Sequence, residues 1–153
     1  MKEDYDGAEP SPNSVSALNL LRLAQIMDSK ELHERAAKTL SAFAEQLTKT
    51  PTAMPQMLVA LDASLAEPRQ VVIAGPRDAA GTRALLREVH AHFIPNKIVL
   101  LADGGAGQKW LGERLEEVGK IRLADKPAAY VCKNFRCDLP TDDVAKLREL
   151  LAK

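Results

Sequence analysis

The side chains whose types could do chemistry lie near the two ends of the chain. Asp4, Tyr5, Asp6, Glu9 and Asn13 fall in an acidic, turn-rich run, Glu3–Ser14, that leads straight into an apolar stretch. Paired carboxylates can work as in glycoside chemistry, one protonating the leaving oxygen and the other acting as base or nucleophile. They can equally hold sugar hydroxyls. The same Asp, Gly, Pro and Ser residues also make turns in a solvated loop, and no spacing rule specifies a carboxylate pair here. Near the other end, Cys132 and Cys137 enclose Lys133-Asn134-Phe135-Arg136. Three uses stay open for them: a buried strand residue and a separate turn residue, a labile disulfide, or half a metal site. Lys133 and Arg136 would favour a thiolate. A zinc site needs two further ligands, and His90 and His92, two apart, point in different directions on a helix. No metal site is therefore expected.

Two further segments sit where parallel sheets often bind ligands, at strand-to-helix turns: Gly75-Pro76-Arg77-Asp78 and Asp103-Gly104-Gly105-Ala106-Gly107. Neither matches the dinucleotide or phosphate-loop pattern, and no G-x-S-x-G elbow occurs. No cofactor is expected.

The elements that must position these residues fall into two halves. Residues 1–66 read as helices. Asn13 or Ser14 can cap the first, which carries Val15, Ala17, Leu18, Leu20, Leu21, Leu23 and Ala24. Asp28 and Glu31 resemble a capping box for a second, with a stripe through Leu32, Ala36, Leu40, Phe43, Ala44 and Leu47 at helical spacing. A third is predicted from about Thr52, with Pro55 in its first turn. The texture changes at Ala66–Arg69. Residues 67–153 read as strand–helix–strand–helix–strand–helix. The strands are Gln70–Ala74, Asn96–Leu101 and Ala128–Cys132. A helix from Asp78 to about His92 turns Leu85, Leu86, Val89 and Phe93 inward. A second helix runs through Trp110, Leu111, Leu115 and Val118, and a last one follows Thr141 as cap. Such alternation favours parallel strands with crossover helices. The predicted fold is α/β: an amino-terminal helical segment packed with a small three-stranded parallel sheet flanked by helices.

Composition narrows the function classes. The 153 residues hold 21 basic and 21 acidic side chains, which removes the main electrostatic argument for a nucleic-acid or anionic-membrane partner. Aromatics are scarce, at 4%, so stacking platforms for bases or sugars are few. No stretch approaches the roughly 20 apolar residues of a membrane span. The two cysteines give no secreted-type disulfide framework, so a cytoplasmic protein is the expectation.

Five blocks taken in order resemble the carboxy-terminal portion of the YyaL-type thioredoxin-domain proteins, which include spermatogenesis-associated animal relatives. The blocks are Tyr5–Ser14, Met54–Leu58, Gln70–Gly75, Pro95–Lys97 and Ala129–Pro140. The resemblance covers nearly the whole chain. It implies that residues 1–66 are the last hairpins of an α/α toroid of the six-hairpin glycosidase type, and residues 67–153 a terminal α/β extension. It places Asp4, Tyr5, Asp6, Glu9 and Asn13 near the toroid's central cavity and assigns no catalytic role. The function expected is that of a non-catalytic carboxy-terminal fragment whose partner is the remainder of a parent protein. Apolar helix faces left uncovered are expected to drive self-association. Two alternatives stand beside it: part of a carbohydrate-active enzyme completed by other domains, and a thiol redox module using Cys132 and Cys137.

Overall fold

The computed structural model describes residues 5–134 and 136–152. The chain divides into two compact units, one ending at Ala66 and the other starting at Glu67.

The first unit is helical. Helix α1 spans Pro12–Met27. Its cap is Ser11, whose hydroxyl accepts from the Ser14 N–H, and Pro12 occupies the first helical position, where a missing N–H costs nothing. The start thus lies ahead of the Asn13 or Ser14 expected from sequence. Helix α2 spans Lys30–Ala42 and is capped by Ser29. Asp28, read as that cap, instead ends α1 in the left-handed region at φ 47°. The stripe through Leu47 is not one helix: the backbone breaks at Phe43, and α3 covers only Ala44–Lys49. A 3-10 turn at Pro51–Ala53 precedes α4, Pro55–Leu65. Small residues let the helices approach: Ala17, Ala36 and Ala60 are fully buried beside Leu21, Leu40, Met54 and Met57.

The second unit is α/β with a four-stranded mixed sheet in the order β2-β1-β3-β4. The strands are β1 Arg69–Ala74, β2 Lys97–Ala102, β3 Ala128–Lys133 and β4 Arg136–Cys137. β1 runs parallel to β2, with Val71 opposite Val99. It runs antiparallel to β3, with Val71 opposite Val131. The three-stranded parallel sheet expected from sequence is corrected on both strand number and direction. The reason lies between β2 and β3. Instead of one crossover helix, two short helices, α6 Ala106–Gly112 and α7 Glu116–Lys120, fold back on each other. A Cβ on Gly112 would stand 2.6 Å from the Gly119 Cα, so the hairpin closes only because both residues lack side chains. The chain returns to the end of the sheet it left, and β3 starts with Ala128 opposite Ala74.

Helix α5, Ala80–Ala91, and helix α8, Val144–Leu151, bury Leu85, Val89, Leu147 and Leu151 with Val71, Ile73, Ala129 and Val131 of the sheet. Phe93, predicted to face inward, lies beyond the end of α5 and is 94% exposed. Thr141 is not the cap of α8. It bridges to Ala129 of β3, and Asp143 caps the helix through the Ala145 and Lys146 N–H groups.

Candidate functional site

Of the acidic run, Asp6 carries the densest set of contacts. It is buried at 7% exposure. Its Oδ1 accepts from the Ser11 N–H at 2.7 Å, and its Oδ2 accepts from the Gln56 and Met57 N–H groups at 2.9 and 3.1 Å. Its own N–H donates to the Ala53 carbonyl at 2.9 Å. Helix α4 has no side-chain cap of its own at Met54. Asp6 supplies that cap from fifty positions away in sequence. It also fixes Ser11, whose hydroxyl meets the buried Ser14 hydroxyl at 2.9 Å. Burial pushes the Asp6 carboxyl up. The hydrogen bonds from Ser11, the Ser14 side chain, Met57 and Gln56 outweigh it and hold the group below its ordinary value. A carboxylate with both oxygens on backbone donors at two helix starts is built for structure. Protonating it, as a general acid requires, would weaken those bonds and cost acceptor capacity.

The other residues of the run are placed differently. Tyr5 is 63% exposed, with its ring edge against Gly7. Glu9 is exposed, and Asn13 is half-buried in the first turn of α1. Asp4 lies outside the described residues.

In the second unit Cys132 and Cys137 are bonded, so Cys137 is not a separate turn residue. The two sit directly opposite each other across β3 and β4. Their Cα atoms are 3.8 Å apart, within bridging reach and closer than the roughly 4.4–6.8 Å usual for a disulfide. Asn134, left-handed at φ 48°, begins the short connection between the strands, and its N–H donates to the Pro68 carbonyl at 3.0 Å. Cys132 is buried and Cys137 exposed. Among the described residues, no group of three or more His, Cys, Asp or Glu side chains is placed to hold a metal ion.

Two positions missed by sequence reasoning organise this unit. Gln108 is 92% buried, with 8% exposure. Its Oε1 accepts from the Gly104 N–H at 2.7 Å, and its Nε2 donates to the Val118 and Ile121 carbonyls at 3.2 and 2.9 Å. One amide thus clasps the start and the end of the α6–α7 excursion. Beside it lies an open cleft of about 450 Å³, lined by Gly104, Gly105, Lys109, Gly112 and Arg122 among others. The second position is Glu88 on α5, which Arg148 of α8 grips with two nitrogens at 2.7 and 3.2 Å. No local pattern announces either, because each partner is distant in sequence or sits on an irregular segment.

Comparison with known proteins gives relatives along nearly the whole chain. It is 43% identical over 152 residues to the human protein named Spermatogenesis-associated protein 20, covering 99% of this chain and 19% of that one. The rat protein of the same name is 41% identical over the same length. An uncharacterized protein of Caenorhabditis elegans is 32% identical over 163 residues, 21% of its length. The chain therefore spans about one fifth of the curated relatives it matches. No protein-family profile matches it, and no solved structure matches it. No helix among the described residues is long and apolar enough to cross a membrane.

Proposed function

We propose that this chain works as a non-catalytic carboxy-terminal portion of a longer protein like Spermatogenesis-associated protein 20, where it packs against the segment that precedes it. The observation that carries this reading is the coverage: 99% of this chain aligns with only 19% of the human relative. The outer faces of the helical unit support it. Helix α4 turns Leu58, Val59 and Leu65 outward, the last at 79% exposure, and α1 turns out Val15 and Leu23. Leu58 and Leu65 are two helical turns apart, so they fall in one stripe. Fully burying one leucine contributes about 1.5–3 kcal/mol, so such a stripe on a partner-facing side is a usable docking surface.

The carbohydrate-active alternative draws no support from Asp6, whose oxygens are taken by Ser11, Gln56 and Met57.

The test is hydrogen exchange on this chain alone and on the same chain joined to the preceding segment of the full-length protein. Protection of α4 amides should rise in the longer protein, and Leu58→Asp with Leu65→Asp should abolish the gain. Identical exchange of α1 and α4 in both proteins would refute the docking reading.

A further inference from the structure

We propose that Cys132–Cys137 is a reversible thiol–disulfide exchange site, in which Cys137 is the sulfur reached by an external thiolate and Cys132 the sulfur that leaves and later resolves. Three observations carry it.

The first is asymmetry of access: Cys132 is 2% exposed, whereas Cys137 is exposed on the edge strand β4. Exchange requires approach of a thiolate to one sulfur, and the residue of the pair that faces solvent is Cys137. The second is what surrounds the bond. With the disulfide open, the hairpin keeps its other ties. The Asp138 N–H donates to the Val131 carbonyl at 2.9 Å, Lys133 pairs with Arg136, and Ala129 and Thr141 exchange bonds of 2.8 and 3.0 Å. The two sulfurs therefore stay within reach of each other after reduction. The third is loop length. The cysteines are five positions apart in sequence, and a cross-link's stabilisation grows with the logarithm of the loop it closes, so this bond sits at the low end of what cross-links contribute. On a hairpin already held by its ladder, such a bond can open without unfolding the sheet.

The chain has two cysteines in all, so the exchange partner is external; its chemical class is a dithiol reductant. One thiolate of the dithiol attacks the Cys137 Sγ. The S–S bond breaks, and its electron pair leaves on the Cys132 Sγ, which takes a proton from solvent. The second thiol of the reductant, having given its proton to solvent, then attacks the mixed disulfide and releases Cys137 as thiolate, which takes a proton back from solvent. The reductant ends as a disulfide, having given two electrons, and the chain ends as two thiols. Reoxidation reverses each step, with Cys132 resolving a mixed disulfide held on Cys137.

The experiment incubates the whole chain in folding buffer with dithiothreitol, quenches with an alkylating agent and counts thiols by mass. Two thiols should appear without denaturant, while hydrogen exchange shows the sheet still protected, and air or oxidised glutathione should restore the bond. In Cys132→Ser, Cys137 should form a mixed disulfide with oxidised glutathione about tenfold or more faster than Cys132 does in Cys137→Ser. Should either variant misfold, limited alkylation of the reduced native chain reads the same order, with Cys137 modified first. A bond that opens only in urea, or two cysteines that react at equal rates in the folded chain, would overturn the proposal.

Discussion

Replacing Asp6 by alanine should loosen two helices at once. Its carboxylate caps α4 at Gln56 and Met57 and anchors Ser11 at the start of α1. Losing a helix cap typically costs about 1–2 kcal/mol. The two effects together give roughly 2–4 kcal/mol, with the upper end favoured because the freed donors are buried. For a helical unit of this size, whose whole stability is on the order of 3–10 kcal/mol, that is a large share. Asp6→Asn keeps one acceptor oxygen and should lose about half as much. The assay is hydrogen exchange by peptide. A loss of about 3 kcal/mol speeds exchange of α1 and α4 amides roughly a hundredfold. Peptides from β1 and β3 serve as the internal reference. The pH dependence follows from sign. The folded carboxyl sits below its ordinary value of 3.8, so protonation favours the unfolded state. The stability it supplies is complete above that ordinary value and is lost as pH falls through the folded one. Asp6→Asn should remove this acid-side slope. An Asp6→Ala protein with unchanged exchange in α1 and α4, or one in which all peptides accelerate alike, would refute the cap assignment.

Other outcomes follow from the second unit. Gln108→Ala should cost about 2–3 kcal/mol, since it leaves the Gly104 N–H and the Val118 and Ile121 carbonyls without their clasp. Urea unfolding read by Trp110, the sole tryptophan, measures it. Gly112→Ala should destabilise by about 1–3 kcal/mol or more, because the new Cβ meets the Gly119 backbone at 2.6 Å and the α6–α7 hairpin must open. Circular dichroism melting of this variant beside Gly107→Ala, a position with open space, separates the clash from propensity. Glu88 is held below its ordinary value of 4.5 chiefly by the Arg148 hydrogen bonds, against the opposing effect of burial and with help from the charges of Arg148 and His92. Its contribution is therefore present above that value and lost on acidification. Glu88→Gln should flatten the acid limb of a stability profile from about pH 3 to pH 7, and an unchanged limb would remove the pair from the account.

Much of this architecture was legible as pattern and little of it as geometry. The apolar runs at Val71–Ile73, Ile98–Leu101 and Ala129–Val131 announce strands because β-branched and apolar residues run together between turn signals. The direction of β3 was not announced. A break at Glu113–Leu115 turns one expected crossover into two helices that double back, and that break depends on two glycines meeting across a hairpin. Helix caps lie one to three positions from the ones local pattern suggests where two polar residues compete, as at Asp28 and Ser29. The job of Asp6 was hidden for a different reason. A loop aspartate reads as solvated or catalytic until its partners are known, and Gln56 and Met57 are distant in sequence. The pairing of Cys132 with Cys137 depended on hairpin register, which the spacing alone left open.

The clasp at Gln108 has a consequence for tolerance to length change. β2 and β3 flank β1, so their connection needs to cross only two strand spacings, about 10 Å. Three or four extended residues bridge that distance. The chain instead uses residues 103–127, and it enters and leaves the helical hairpin at points gripped by the two ends of a single amide. The hairpin is thus an appendage on a closed neck. Insertions at the exposed Glu113–Arg114 turn, on the far side of that neck, should leave strand order undisturbed, which makes this turn the natural place to carry a tag or a reporter on this protein.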